Sequence, residues 1–296
     1  MANIVIIGPG AVGLSVGAAL IDAGHQVVFA ARQAFAPLKV AKAGEMAPRR
    51  RATVVTAPEA LTPPDWVLLC VKAHQVEGAK AWLDATVGPH TRVAILQNGV
   101  EHRERVTPVV PVGTVLVPVV VDIPAGRSAP GVAEWRGRAG LLTADTPEGQ
   151  AFCGLFTGSF VTACPTPDYV SENWKKLCVN APGGAILALT GQTMQVFHQP
   201  GIAEIARAIL SECVAVGRAE GADLPDDLIE AQMARFMAAA PDDTNSMYDD
   251  RAAGRETEWD ARNAVIARKG RAHGIPTPVS DLIVPLLAAQ KVGVPA

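Results

Sequence analysis

The sequence predicts an α/β fold over its first half, followed by an all-helical second half. Three observations carry the expectation. Short β-branched runs recur through the first half with alanine-rich stretches between them, the signature of strands buried on both faces and separated by helices. A glycine-rich turn, Gly8 to Gly13, closes the first of these runs and opens the first alanine-rich stretch. Beyond Pro165 and Pro167 the β-runs almost cease, and apolar residues recur at three and four spacing instead. At 296 residues the chain exceeds the usual size of one domain.

In chain order, NIVIIG reads as the first strand, about Ala11 to Ala23 as a helix, and HQVVFAAR as the second strand. RATVVTA, DWVLLCVK, RVAILQN and TVLVPVVVDI continue the series, and together they imply a parallel sheet covered on both faces. From about Gly131 the pattern changes. PGVAEWRGRAGLLTAD reads as two short strands around an Arg-Gly turn, with a helix near Glu148 and a last strand, FVTAC, after them. This stretch is expected to extend the sheet in antiparallel fashion. CPTPDYVSEN is the expected junction, giving a first domain over 1–167 and a helical one over 168–296. Helices are expected from near Ser171, Gln199, Pro225 and Glu256 and after Pro278.

Composition narrows the function. Apolar residues make up 49% and aromatics 5%, so the core is built of small aliphatic side chains. A net charge of −3 with dispersed Lys and Arg leaves no electrostatic footprint for nucleic acid or an anionic membrane. The longest apolar tract, Val109 to Val121, is interrupted by Pro111, Gly113 and Pro118 and is too short to span a bilayer. MANIVIIGPG enters a strand at once and does not read as a signal peptide. Cys70, Cys153, Cys164, Cys178 and Cys213 form no CxxC pair and read as reduced, buried thiols of a cytoplasmic protein. The six histidines show no ligand spacing, so no metal is expected.

Gly8-Pro-Gly-Ala-Val-Gly13 fits G-x-G-x-x-G between a strand and a helix. Gly8 permits the tight turn, Gly10 lets a pyrophosphate approach the backbone, and Gly13 lets helix and strand pack closely. Gly8, Gly10, Ala11, Val12 and Gly13 are therefore the candidate dinucleotide-binding residues. About 20 residues on, an NAD site usually carries an acidic residue; here AAR ends in Arg32. A guanidinium suits a 2′-phosphate, which favours NADP(H). The same arginine would be an odd partner for the unphosphorylated ribose of a SAM-dependent methyltransferase.

NWKKLCVN, read as a helix, puts Lys176 and Asn180 one turn apart on one face and turns Lys175 elsewhere. Reduction of a ketone needs a hydride donor and an acid for the forming alkoxide, and a lysine can supply the proton. A carboxylate must then orient that lysine. Glu258, in GRETEWDARNAV, is a candidate, with Glu256 and Asp260 as neighbours that spacing alone does not exclude.

In order along the chain, GPGAVG, CVKAHQV, LQNGVE, WKKLCVN, NSMYDDRAAGRETEWD and RAHGIPTPVSDL resemble the ketopantoate reductases (2-dehydropantoate 2-reductases) nearly end to end. The resemblance implies a Rossmann-type first domain, an all-helical second domain and a substrate cleft between them. It makes Lys176 the general acid, Glu258 its paired carboxylate and substrate contact, and Asn98 a neighbour of the nicotinamide and the lysine. It assigns Asn180 and Ser246 to the substrate, Ser246 to its carboxylate, and Lys72 with Arg32 to the 2′-phosphate of NADPH. The implied partner is a small-molecule 2-oxo acid, ketopantoate first; analogy alone suggests a homodimer.

Each residue also has an ordinary explanation. Asn98-Gly99 is a common turn, Asn245 or Ser246 suits a helix cap, and the lysines and Glu258 could be surface residues. A non-catalytic NADP(H)-binding regulator is the rival of another class. A 3-hydroxyacid dehydrogenase, whose lysine helix typically reads K-x-x-N, is the enzymatic one. Two departures bear on the substrate. Ketopantoate reductases carry a second asparagine one turn after the first, where this chain has Gly184, and a glycine where it has Ala264.

Overall fold

In the first strand, β1 (Asn3–Ile7), Ile4 and Ile6 enter one apolar cluster while Val5 and Ile7 enter another. Trp66 and Leu68 of a later strand repeat the division against Val67 and Leu69. This alternation is what a sheet covered on both faces requires, and it explains why these strands read as continuous apolar runs.

The computed structural model describes residues 1–290 and Gly293. The chain divides into two compact units, one of Met1–Gln97 and His102–Tyr169, the other of Asn98–Glu101 and Val170–Ala296. In unit 1, β1 leads to α1 (Ala11–Asp22), β2 (Gln26–Ala30), β3 (Leu38–Lys42), β4 (Arg49–Arg50), β5 (Thr53–Val55), β6 (Trp66–Leu69), α2 (Lys80–Thr86) and β7 (Arg92–Ile95). After α3 (His102–Val106) come β8 (Val115–Pro118), β9 (Val120–Asp122), β10 (Ala125–Ala129), β11 (Val132–Trp135), β12 (Gly140–Ala144), α4 (Pro147–Gly154) and β13 (Thr162–Thr166). The main sheet has the order β5-β2-β1-β6-β7-β8 and is parallel throughout.

The stretch from Gly131 departs from expectation. Its two strands do not extend the main sheet: β11 joins β10, β3 and β4, whereas β12 pairs with β13 and β9. The pairings of β11 with β3 and of β12 with β13 are parallel. The Arg-Gly turn therefore carries the chain from one small sheet to another instead of closing a hairpin. LKVAK, unread as a strand in the sequence, supplies β3 between β11 and β4. The thiols also differ in part, since Cys178 and Cys213 are buried but Cys164 is exposed. It stands on β13, which has a neighbour on one side only.

Where the chain leaves and re-enters unit 1, one imidazole ties the ends together. His102 Nε2 lies 2.9 Å from the Gln97 carbonyl, and its Nδ1 lies 3.2 Å from the Tyr169 hydroxyl. A carbonyl only accepts, so Nε2 carries the proton and Nδ1 receives the one from Tyr169. Burial pushes the His102 pKa below its ordinary value, which keeps the ring in this neutral form.

Unit 2 is helical among its described residues. It holds α5 (Tyr169–Thr190) from Val170 onward, α6 (Ile202–Ala219), α7 (Leu228–Ala238), α8 (Ser246–Ala252), α9 (Val265–His273) and α10 (Pro278–Ala288). A π-turn over Asp260–Ala264 leads into α9. Its consecutive residues Ala261, Arg262, Asn263 and Ala264 are all buried. α5 runs on through Pro182, Gly183 and Gly184, although the proline lacks the N–H that the Cys178 carbonyl would otherwise receive. Two amides brace that stretch from outside: Asn245 donates to the Gly183 carbonyl and Asn263 to the Ala181 carbonyl, each at 2.9 Å.

Candidate active site

The glycine turn of unit 1 follows β1, at the carboxyl end of the parallel strands where such sheets bind ligands. Gly8 has φ of +88°, and a Cβ there would stand 2.7 Å from the Val71 backbone nitrogen. A Cβ on Gly13 would stand 2.5 Å from the Gly8 carbonyl oxygen. Gly10 is different: a Cβ there would meet nothing within 4 Å. Gly8 thus serves the packing of the turn against Val71 after β6, Gly13 its packing on itself, and Gly10 leaves an open approach to the backbone. The first helical hydrogen bond runs from Leu14 N–H to the Gly10 carbonyl at 2.9 Å. The N–H groups of Ala11, Val12 and Gly13 therefore have no acceptor within the helix and offer an anion site.

Arg32 stands two residues past β2 and is exposed. Lys72 is half-buried and opens the short turn Ala73–Gln75, where its carbonyl accepts from Gln75 N–H at 2.8 Å. Cys70, beside Gly13, is not a nucleophile, because burial pushes its thiol far above the usual range. These residues fit a dinucleotide, with an open backbone for a pyrophosphate and a helix N-terminus behind it. A concavity of about 780 Å³ lined by Asp65, Arg92 and Val115 among others lies at the opposite, amino ends of β6, β7 and β8 and includes none of them.

Unit 2 brings together residues from four segments. Asn180 Nδ2 donates to Asn98 Oδ1 at 3.2 Å, and Asn98 Nδ2 donates to Glu258 Oε2 at 2.9 Å. The carboxylate only accepts, so it fixes which way the Asn98 amide faces and thereby makes the Asn98 oxygen the acceptor for Asn180. The same Glu258 oxygen accepts from Arg262 NH2 at 2.9 Å, and that nitrogen also donates to Ser246 Oγ at 2.8 Å. Glu258 is 5% exposed and Arg262 3%. Two opposite charges buried to this degree hold one another in place, and loss of Glu258 would leave the Arg262 charge buried without this counter-ion.

Local structure explains the convergence. Gly99, at φ +102°, lets the Asn98 turn lie against the π-turn, where a Cβ would stand 2.8 Å from the Ala261 carbonyl oxygen. Arg268 grips Glu101 with two hydrogen bonds of 2.9 and 2.6 Å and so fastens the same segment to α9. Asn245 caps α8, accepting from Met247 N–H and Tyr248 N–H at 3.1 and 3.0 Å. That leaves Ser246 outside the cap and facing Arg262. Of the three acidic candidates near 258, Asp260 pairs with Arg268 at 3.1 Å and Glu256 is exposed, whereas Glu258 joins the cluster. Lys176 is half-buried, one turn before Asn180 on α5; Lys175 pairs with Glu172 at 2.9 Å instead.

Arg262 is the residue that sequence reading missed. A signal was present, since Glu258 and Arg262 have the i, i+4 spacing of a helical ion pair. Gly184 faces Met247 and Arg262: a Cβ there would stand 2.6 Å from the Met247 sulfur and 3.9 Å from Arg262 NH1. Among the described residues no group of three or more His, Cys, Asp or Glu is placed to hold a metal, and no helix is long and apolar enough to cross a membrane.

The family model described as ketopantoate reductase PanE/ApbA matches residues 4–148, and the model of the corresponding C-terminal region matches residues 168–291. A 2-dehydropantoate 2-reductase of Caulobacter vibrioides is 46% identical, covering 98% of this chain and 99% of its own. One from Mycobacterium tuberculosis is 40% identical over 98% of each chain. Among solved structures, a PanE/ApbA family ketopantoate reductase from Ralstonia eutropha superimposes with a TM-score of 0.88 at 28% identity, covering 97% of each chain.

Proposed function

This chain belongs to the ketopantoate reductase family, and from that premise we propose that it reduces a 2-oxo acid, 2-dehydropantoate foremost, to the 2-hydroxy acid with NADPH as reductant. It is an oxidoreductase with a nicotinamide coenzyme, as its relatives at 40–46% identity indicate. The observation that carries the finer reading is the hydrogen-bonded series Asn180, Asn98, Glu258, Arg262 and Ser246, on a scaffold that also presents Lys176.

Gly10 and the opening N–H groups of α1 would hold the pyrophosphate of the coenzyme, with Arg32 and Lys72 on its 2′-phosphate. When bound, the coenzyme supplies a hydride for the carbonyl carbon. Lys176 gives the proton that the developing alkoxide needs, so that the C=O becomes CH–OH and no charge is left on oxygen. Glu258 keeps a negative charge close to the lysine helix and, with Asn98, orients the groups that face the substrate. The Asn180 oxygen is not used by Asn98 and is the acceptor on this face for a substrate hydroxyl or for the lysine ammonium. Ser246 binds the substrate carboxylate.

A second reading, a related 2-oxo acid as the true substrate, has its own support at Gly184. That wall offers a thioether and a guanidinium where a side-chain amide would contact ketopantoate. One assay tests both. Oxidation of NADPH and of NADH is followed with ketopantoate and a panel of branched 2-oxo acids. Turnover of ketopantoate with NADPH preferred supports the first reading, a better rate with another 2-oxo acid supports the second, and no oxidation with any of them overturns both.

A further inference from the structure

We propose that Arg262 and Ser246 together form the receptor for the substrate carboxylate, with the Arg262 guanidinium as a specificity-determining group; this rests on reading the site as that of a 2-oxo acid reductase. Arg262 NH2 is committed, donating to both Glu258 and Ser246. Nε is sealed from solvent and has no acceptor among the described residues. NH1 makes no hydrogen bond among them either, and it is not sealed off as Nε is. A guanidinium that is 3% exposed with donor positions idle is costly to bury. An acceptor supplied by a ligand at NH1 removes part of that cost.

Ser246 points the same way. Its oxygen accepts from Arg262, and among the described residues its proton has no acceptor, although the residue itself is exposed. The idle N–H groups of NH1 and the idle O–H of Ser246 thus flank one nitrogen, the first through the guanidinium carbon and the second across a 2.8 Å hydrogen bond. Two adjacent donors, one of them charged, match the two oxygens of a carboxylate. Gly184 adds no side chain of its own beside NH1, and the neighbour there is the Met247 thioether, which does not compete for the donor.

The test compares wild type with Arg262→Gln and Arg262→Lys, each checked by thermal melting. With NADPH present, kcat/KM is measured for a 2-oxo acid and for its methyl ester, and binding of oxamate, a carboxylate that is not reduced, is measured by calorimetry. The preference for acid over ester should fall about 10- to 100-fold in Arg262→Gln, and oxamate binding should weaken by at least tenfold. Arg262→Lys keeps the charge beside Glu258 but lacks the planar fork, and should fall between. An unchanged acid preference with equal oxamate binding in folded variants overturns the proposal, as does absence of oxamate binding to wild type. Should Arg262→Gln fail to fold, Arg262→Lys decides. If wild type reduces no 2-oxo acid, the reductase reading fails, and the oxamate series still decides whether Arg262 receives a carboxylate.

Discussion

The glycine turn of unit 1 works through side chains it lacks, whereas the polar cluster of unit 2 works through side chains that hold one another. In the turn, six consecutive residues carry the whole pattern, and the distant segment Cys70–Val71 only closes in on two of the glycines. In the cluster, Asn98, Asn180, Ser246 and Glu258 come from distant parts of the sequence and meet only when α5, α8 and the π-turn pack around them. The first region therefore depends above all on its glycines. The second depends on partners, and each substitution there is felt by the next residue in the series.

The sharpest way to break the comparison is Lys176→Ala. Removal of a proton donor costs on the order of 10²–10⁴-fold in turnover, while NADPH affinity, measured by fluorescence titration, should stay near wild type. Equal losses in both would mean that the two regions do not divide the work as described.

The glycines sharpen it next. Gly10→Val should weaken NADPH by about tenfold or more through lost approach to the pyrophosphate, with little change in melting temperature, since nothing lies within 4 Å of the added Cβ. Gly8→Ala should instead cost stability, on the order of 1–3 kcal/mol for a left-handed backbone crowded by Val71. A pair of thermal melts and titrations separates the two outcomes.

Arg32→Ala is expected to raise the NADPH dissociation constant by about tenfold and to leave NADH almost unaffected. Identical effects on both coenzymes would remove Arg32 from the 2′-phosphate.

Glu220 provides the smallest effect and a contrast with Glu258 inside unit 2. Burial acts to raise its pKa, but hydrogen bonds from Lys269 and His273, both 2.6 Å, outweigh this and hold it below the ordinary value of 4.5. A depressed carboxylate stabilises the fold above its unfolded pKa and loses that contribution as the pH falls through the folded one. Wild type should therefore melt slightly above Glu220→Gln at pH 7, as suits a partly exposed pair worth about 0.2–1 kcal/mol. The gap should narrow below about pH 4.5, measured as melting temperature against pH.

Legibility follows the same division. The parallel sheet, the turn and the helical second half were readable, because burial on both faces and helical spacing leave periodic marks. The separate pairings of β11 and β12 were not, since strand partners depend on long-range register that a run of residues does not encode. Glu258 could be narrowed only to one of three acids by spacing; its choice rests on Gly99 lying against Ala261. Arg262 was hidden for a further reason. Arg262 and Asn263 are adjacent, and both are buried in the π-turn Asp260–Ala264, whereas an arginine in a helical run reads first as a surface residue.

That widened loop of backbone amounts to one surplus residue. Deleting a position between Asp260 and Ala264 would restore the ordinary period and swing whatever precedes it by about 100° around the helix axis. The Asn98 contact of Glu258, ahead of the deletion, and the Asn263 amide that braces Ala181, behind it, would no longer keep their present relation. A gap of a single column here, in an alignment of relatives, should therefore mark chains in which the carboxylate contact and the asparagine brace do not occur together.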